Sequence, residues 1–318
     1  MHRRFAWIIV LAGLIGFAAG ARADFEGHVS IVNSVAFSAD GKSVLSGSWD
    51  WTMRLWDLVS QKTIRKYNAH SLSVNSAAFG PGGEMVLSAS ADGTLKRWQL
   101  STGKLLTTYQ GHTGIVTSGM ITPDGQFVLS ASTDKTLILW EADSGRIVRR
   151  LIGHRGPVLS VVISSDGISA YSSSYDGTLR RWNLATGETV TVYRGHNFNV
   201  NTVALSTDEK TLVSGSVDET VKVWNVTSGT VTKTLIGHSG FVAAVAISKD
   251  GRQLLSGGSD KIVRLWDIHS GRLVKSMPGH KKAIWSVAFS PDGKTALSGG
   301  GDEVLKLWDL ATGQPIGK

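Results

Sequence analysis

A histidine returns every 42 residues, at His28, His70, His112, His154, His196, His238 and His280. A tryptophan keeps the same step at Trp56, Trp98, Trp140, Trp182, Trp224, Trp266 and Trp308. No insertion or deletion breaks either series, so the chain is seven copies of one structural unit, and six copies serve as controls for any argument about the seventh. That constraint dominates every other feature of the 318 residues.

The last unit, Gly279 to Asp309, shows what one copy encodes. The run Ala283 to Phe289 is apolar and alternating, and Ser290-Pro291-Asp292-Gly293-Lys294 supplies a hairpin turn after it. Thr295 to Ser298 is a second run, and a turn at Asp302 leads into a third, Val304 to Trp308. Ala311-Thr312-Gly313 turns the chain again, towards a fourth run such as Arg146 to Leu151 or Glu188 to Tyr193 in earlier units. The 37 glycines and the closely spaced turns exclude a helical repeat, which leaves a four-stranded meander per unit. One such sheet cannot cover both of its apolar faces. The units must stack, and closing the stack into a ring removes its ends.

With Gly-His opening and Trp-Asp closing each unit, the chain from residue 25 to 318 resembles the WD-repeat β-propeller family. Trp-Asp is strict at Trp56-Asp57, Trp266-Asp267 and Trp308-Asp309, and drifts to Trp98-Gln99, Trp140-Glu141, Trp182-Asn183 and Trp224-Asn225. The expected fold is all-β, a seven-bladed propeller of four antiparallel strands per blade.

Residues 1–23 lie outside the repeat. Met1-His2-Arg3-Arg4 is basic, Phe5 to Ala19 is apolar, and Ala21-Arg22-Ala23 carries small residues two apart, which reads as a secretory signal peptide cleaved after Ala23. An uncleaved anchor is the alternative, although 15 apolar residues are short for a bilayer span. Seven units of 42 make 294 residues and Asp24 to Lys318 is 295, which places the boundary at the same point. Gln314 to Lys318 is then expected as the outer strand of the last blade, with Phe25 continuing it. The competing closure is a full N-terminal strand, Gly20 to Phe25, which requires an uncut signal. A chain without cysteine suits an oxidising compartment in which no disulfide is needed. The expected location is periplasmic or secreted.

Cleavage removes three arginines and no acid, lowering the formal charge from +8 to +5. The excess sits mostly at one strand position two before the tryptophan: Arg54, Lys96, Arg180, Lys222, Arg264 and Lys306, with Ile138 the exception. A cation repeated in this way reads as a structural choice, its stem over apolar surface and its head in water, and not as a nucleic-acid stripe.

Each unit also carries a serine 18, an aspartate 22 and a tryptophan 28 residues after its histidine, as in His28, Ser46, Asp50 and Trp56. Ser, His and Asp together invite a catalytic triad, but seven complete copies argue for scaffold. In the resembled family the matching residues form a buried hydrogen-bonded tetrad, so no catalytic residue is expected. Gly41-Lys42-Ser43 and Gly293-Lys294-Thr295 lack the first glycine of a phosphate loop and read as hairpin turns. No cofactor and no metal site is expected.

Function should therefore sit in what differs between units. The resemblance implies partner docking on the narrower face, through positions 3, 5 and 21 after each histidine. Apolar and aromatic residues at these positions concentrate in units six, seven and one, as Phe241, Trp285, Ile31 and Trp49, with Trp51 beside them. Leu159 and Tyr175 form a smaller group in unit four. The alternative is that Trp49, Trp51 and Trp285 fold down over neighbouring blades and are mostly buried. The expected function is a non-enzymatic extracytoplasmic protein-binding platform. The alternative is a ligand- or substrate-recognition subunit of an extracytoplasmic enzyme or electron-transfer complex. The expected partner is a protein, with no nucleic acid and no membrane after cleavage, and the chain is monomeric or part of a hetero-complex.

Overall fold

The computed structural model describes residues 24–316, so residues 1–23, on which the signal-peptide expectation falls, and Gly317 and Lys318 lie outside the described residues. Seven four-stranded antiparallel sheets follow one another, each with its strands in chain order. In blade one these are Val32–Phe37, Ser43–Ser48, Thr52–Asp57 and Thr63–Asn68. In blade seven the first three are Ile284–Phe289, Thr295–Gly300 and Leu305–Asp309, each displaced by one or two residues from the sequence expectation. The inner strand of each blade packs against those of its two neighbours, and blade seven packs on blade one, so the ring closes.

Each of the seven hydrophobic clusters straddles one joint between blades. Leu45, Met53 and Tyr67 of blade one meet Val74, Val86 and Trp98 of blade two. Leu297, Leu305 and Leu307 of blade seven meet Val32, Val44 and Trp56 of blade one. The apolar faces a lone sheet would expose are thus covered by the next sheet, which is where the hydrophobic effect stabilises the ring. Small residues in the second strand permit this approach. A Cβ on Gly215 would lie 2.5 Å from Val242, and one on Gly299 would lie 2.7 Å from Val32 across the closing joint.

The last blade takes its outer strand from both ends of the chain. Asp24 pairs with Lys306 and Phe25 with Leu305, the register that Tyr67 and Met53 hold in blade one. From the other end, Pro315 bridges to Trp308, and the Ile316 N–H donates to the Leu307 carbonyl at 2.7 Å. Phe25 thus continues the edge begun by Gln314 to Ile316, as the first of the two expected closures has it, and residues 20–23, which the competing closure needs, lie outside the described residues. Among the described residues, Gly20–Phe25 contributes only Asp24 and Phe25, and Gln314–Lys318 only its first three residues.

Candidate functional site

The seven tetrads form as the resemblance implies. In blade one the Trp56 indole N–H donates to Ser46 Oγ at 2.8 Å. Ser46 Oγ lies 2.7 Å from His28 Nε2, and His28 Nδ1 lies 2.7 Å from Asp50. Burial pushes the His28 pKa below its ordinary value against the pull of Asp50, so the ring is neutral. Burial also opposes ionisation of Asp50, but hydrogen bonds from His28 and Thr52 outweigh it and hold the carboxyl below the usual range. The proton pattern that satisfies every group has Nδ1–H donating to Asp50 and Ser46 Oγ–H donating to Nε2. The loop before the inner strand is thereby tied to the turn before the third. All seven serines are fully buried, so no attacking oxygen is presented to a substrate.

Blades six and seven depart from this pattern. Blades one to five carry a threonine two residues after the aspartate, and Thr52 Oγ1 donates to Asp50 at 2.6 Å; Ile262 and Val304 cannot. In blade six Arg264 fills the place, with Nη1 2.5 Å from Asp260 and 2.7 Å from His238 Nδ1. Its guanidinium is buried, so the expectation of a solvated head at this strand position fails there. It holds elsewhere only in part. Lys96 Nζ donates to the Ala69 carbonyl, and Arg54 and Arg180 lie over Trp56 and Trp182 at 5.7 and 5.8 Å.

Blades six and seven also lose the serine two residues before the aspartate. In blade one Ser48 Oγ accepts the Asp50 N–H at 3.1 Å and donates to the Ser30 carbonyl. Gly258 and Gly300 replace it. A Cβ on Gly258 would sit 2.0 Å from the Phe241 carbonyl, so the glycine admits a closer approach of the loop that carries Phe241. Phe241 then rests against Trp285, with ring centroids 5.6 Å apart.

A cavity of about 730 Å³ is lined from all seven blades and therefore lies on the ring axis, at the face of the histidine loops. Trp49, Phe241, Trp285, Leu159 and Tyr175 line it, so the two groups that are separate in sequence share one funnel. Ile31 and Trp51 are not in its lining. Trp49 and Trp51 are 44% and 52% exposed and Trp285 is half-buried, so none of the three is folded away. Ile115 and Val217, at implied docking positions of blades three and five but outside the two groups, also line the funnel. Among the described residues, large exposed apolar side chains in loops gather on this face, with Val29, Leu72 and Phe198 added to those above, whereas the opposite face has Val59 and Ile168.

At the fifth position after the histidine, four of the seven implied docking residues have another role. Asn33 Nδ2 donates to the Asn75 carbonyl at 3.1 Å, Asn75 to Val116 at 2.9 Å, and Asn201 to Val242 at 2.9 Å. Thr117 reaches Val158 in the same way at 2.8 Å. At the fifth position after the histidine, blades one, two, three and five thus latch the next blade. Among the described residues no group of three His, Asp or Glu side chains could hold a metal ion.

Comparison with known proteins agrees with this geometry. The family model "WD domain, G-beta repeat" matches seven times, at residues 21–57, 61–99, 103–141, 145–183, 187–225, 229–267 and 271–309. One stretch of 43 residues is 51% identical to the small ribosomal subunit protein RACK1 of Candida albicans, covering 14% of each chain. Another of 39 residues is 54% identical to the Drosophila melanogaster protein of that name, covering 12% of each. The cross-pathway control WD-repeat protein 2 of Flammulina velutipes is 49% identical over 41 residues, 13% of each chain. The chain thus matches about one-seventh of the length of these curated relatives, the extent of a single blade. Seven family matches on seven tetrad-bearing blades make this chain a member of the WD40-repeat family.

Proposed function

We propose that this protein is a non-enzymatic scaffold that acts outside the cytoplasm and captures a protein partner in the funnel on its histidine-loop face. WD40-repeat proteins serve as protein-interaction scaffolds, and the observation that carries the reading is the convergence of Trp49, Phe241, Trp285, Leu159 and Tyr175 on one axial cavity. An exposed apolar patch of this kind marks interaction sites, and tryptophan is the commonest hot spot. The extracytoplasmic location rests on the basic, apolar and small-residue order of residues 1–23.

Two experiments test the reading. Intact mass of the protein from its own host is expected to give Asp24 as the first residue; a chain retaining Phe5 to Ala19 would refute export with cleavage. In pull-downs from the extracytoplasmic fraction, Phe241→Ala and Trp285→Ala are each expected to weaken capture about thirtyfold, the equivalent of about 2 kcal/mol, with little change in melting. Leu159→Ala is expected to matter less. Capture indifferent to both aromatic substitutions would move the site elsewhere. A redox enzyme or cytochrome as the captured species would assign the chain as a recognition subunit.

A further inference from the structure

Blade seven lacks a side chain where other blades have one. At the twenty-first position after the histidine stand Trp49, Thr133, Tyr175 and Val217, but in blade seven Gly301. A Cβ built there would lie 3.3 Å from Lys282 Cβ and 3.6 Å from Trp285 Nε1, so lysine and indole border the same notch. The Gly301 N–H is already committed to the Ala283 carbonyl at 2.8 Å. The Trp285 N–H differs from the tetrad indoles. Each of those donates to a buried serine, whereas no acceptor takes the Trp285 N–H among the described residues, although the ring is half-buried against Phe241. The ammonium groups of Lys281 and Lys282 are exposed and likewise have no partner among the described residues. Lys261 on the turn of blade six adds a third cation to this sector, against the single acid Glu303 outside the tetrads.

The adjoining sector, on the other side of the closing joint, has the opposite chemistry. In the loops of blades one and two, between Gly27 and Ile31, Trp49 and Trp51, His70 and Ser73, and Ala91 and Gly93, the only carboxylates are Asp50 and Asp92, both held by their histidines. Its exposed large apolar side chains are Val29, Trp49, Trp51 and Leu72. A partner matched to this face has bulky apolar residues on one side and negative charge on the other.

We propose that the notch between Lys282 and the Trp285 indole, opened by Gly301, is a carboxylate-binding subsite. It takes an Asp or Glu side chain of the protein segment that docks in the funnel. The inference rests on the funnel being the docking site and adds the chemistry of the occupant. One neutral N–H and one ammonium match the two oxygens and single charge of a carboxylate. A phosphate carries more charge and more oxygens than this pair can meet. The indole forms part of a concave wall, which a side chain can enter and a flat bilayer surface cannot.

The test uses fluorescein-labelled decapeptides, N-acetylated and C-amidated, with a central Leu-Phe pair flanked either by Glu or by Gln, titrated by anisotropy into the mature chain. The Glu peptide is expected to bind about tenfold tighter than the Gln peptide, the scale of one charge-assisted hydrogen bond. Trp285→Phe, which keeps the ring and removes the N–H, and Lys282→Met are each expected to bring the Glu and Gln peptides to equal affinity within the same variant, with the melting curve unchanged. Equal affinities for the two peptides would overturn the proposal. So would a Glu advantage that survives both substitutions, or tighter binding to phosphatidylglycerol–phosphatidylcholine vesicles than to either peptide. Absence of a Glu preference in the unsubstituted chain, with partner capture still weakened by Phe241→Ala, refutes the subsite and leaves the funnel. Capture indifferent to Phe241→Ala refutes both.

Discussion

Phe25 stands edge-on to Trp56, with ring centroids 5.8 Å apart and planes at 89°. Phe25 belongs to the sheet of blade seven and Trp56 to that of blade one, so this contact crosses the joint at which the ring closes. Tyr67 and Trp98, at 5.9 Å, repeat the arrangement one blade on. Phe25 is fully buried, and Phe25→Ala is expected to cost about 3–5 kcal/mol, read from chemical denaturation. Truncation after Gly313 removes the Pro315 bridge and the Ile316 hydrogen bond and exposes the Leu307 edge, so it is expected to lower Tm as well. An unchanged midpoint for both would show that closure does not depend on this composite strand.

The tetrads are unequal in one respect. His154→Ala leaves Asp176 without its imidazole donor, and about 1–3 kcal/mol of stability is expected to go with it. His238→Ala leaves Asp260 still paired with Arg264, and is expected to cost less. Equal losses would mean that Arg264 contributes nothing to the blade-six carboxylate.

Stability is expected to fall with acid in two stages. His28, His70, His154 and His238 have pKa values held below the ordinary 6.5, so the unfolded chain takes up protons first and stability declines as pH drops through about 6.5 towards the folded values. The tetrad aspartates are likewise depressed from 3.8, and their contribution, complete above that value, is lost as pH falls further. Melting curves from pH 8 to 3 should show both declines. A Tm that stays flat between pH 7 and 5 would argue against neutral, buried imidazoles.

Much of this was legible because the repeat is exact in length. The period identified blades, strands and tetrads, since residues that share a repeat position share an environment. What stayed hidden depends on neighbours of different repeat position. Asn33, Asn75 and Asn201 look like surface polar residues until the next blade's carbonyl is placed opposite them. Arg264 looks like the cations of the other blades, and only the loss of threonine at Ile262 lets it turn inwards. Leu159 and Tyr175 are far in sequence from Trp49 and Trp285, but the ring brings all four to one axis.

Gly258 sets repeat logic against packing. Restoring the serine found at Ser48, Ser90, Ser132, Ser174 and Ser216 would be expected from repeat statistics alone to stabilise blade six. The Phe241 carbonyl occupies the space its Cβ needs, at 2.0 Å. Gly258→Ser is therefore expected to destabilise by about 1–3 kcal/mol and to separate Phe241 from Trp285, seen as a change in tryptophan fluorescence. A higher Tm with unchanged fluorescence would show that the loop relaxes without cost.

Trp51 occupies a backbone position that suits it poorly. Its φ is 69°, in the left-handed region, where blades two and four place Gly93 and Gly177. A bulky residue there costs roughly 1–3 kcal/mol of local strain, and such strain concentrates at functional sites. Half of its surface is exposed, so burial offsets the strain only partly. Its carbonyl accepts the His70 N–H at 3.3 Å, a bond any residue could make. Trp51→Gly, which copies the neighbouring blades, is therefore expected to leave Tm unchanged or raise it by a few degrees. If the docking surface extends outwards from the funnel over blade one, the same substitution lowers partner capture severalfold, and Lys135→Gly at the equivalent turn of blade three does not. A clear loss of Tm on Trp51→Gly would show that the indole is held for packing, and would remove it from the proposed surface.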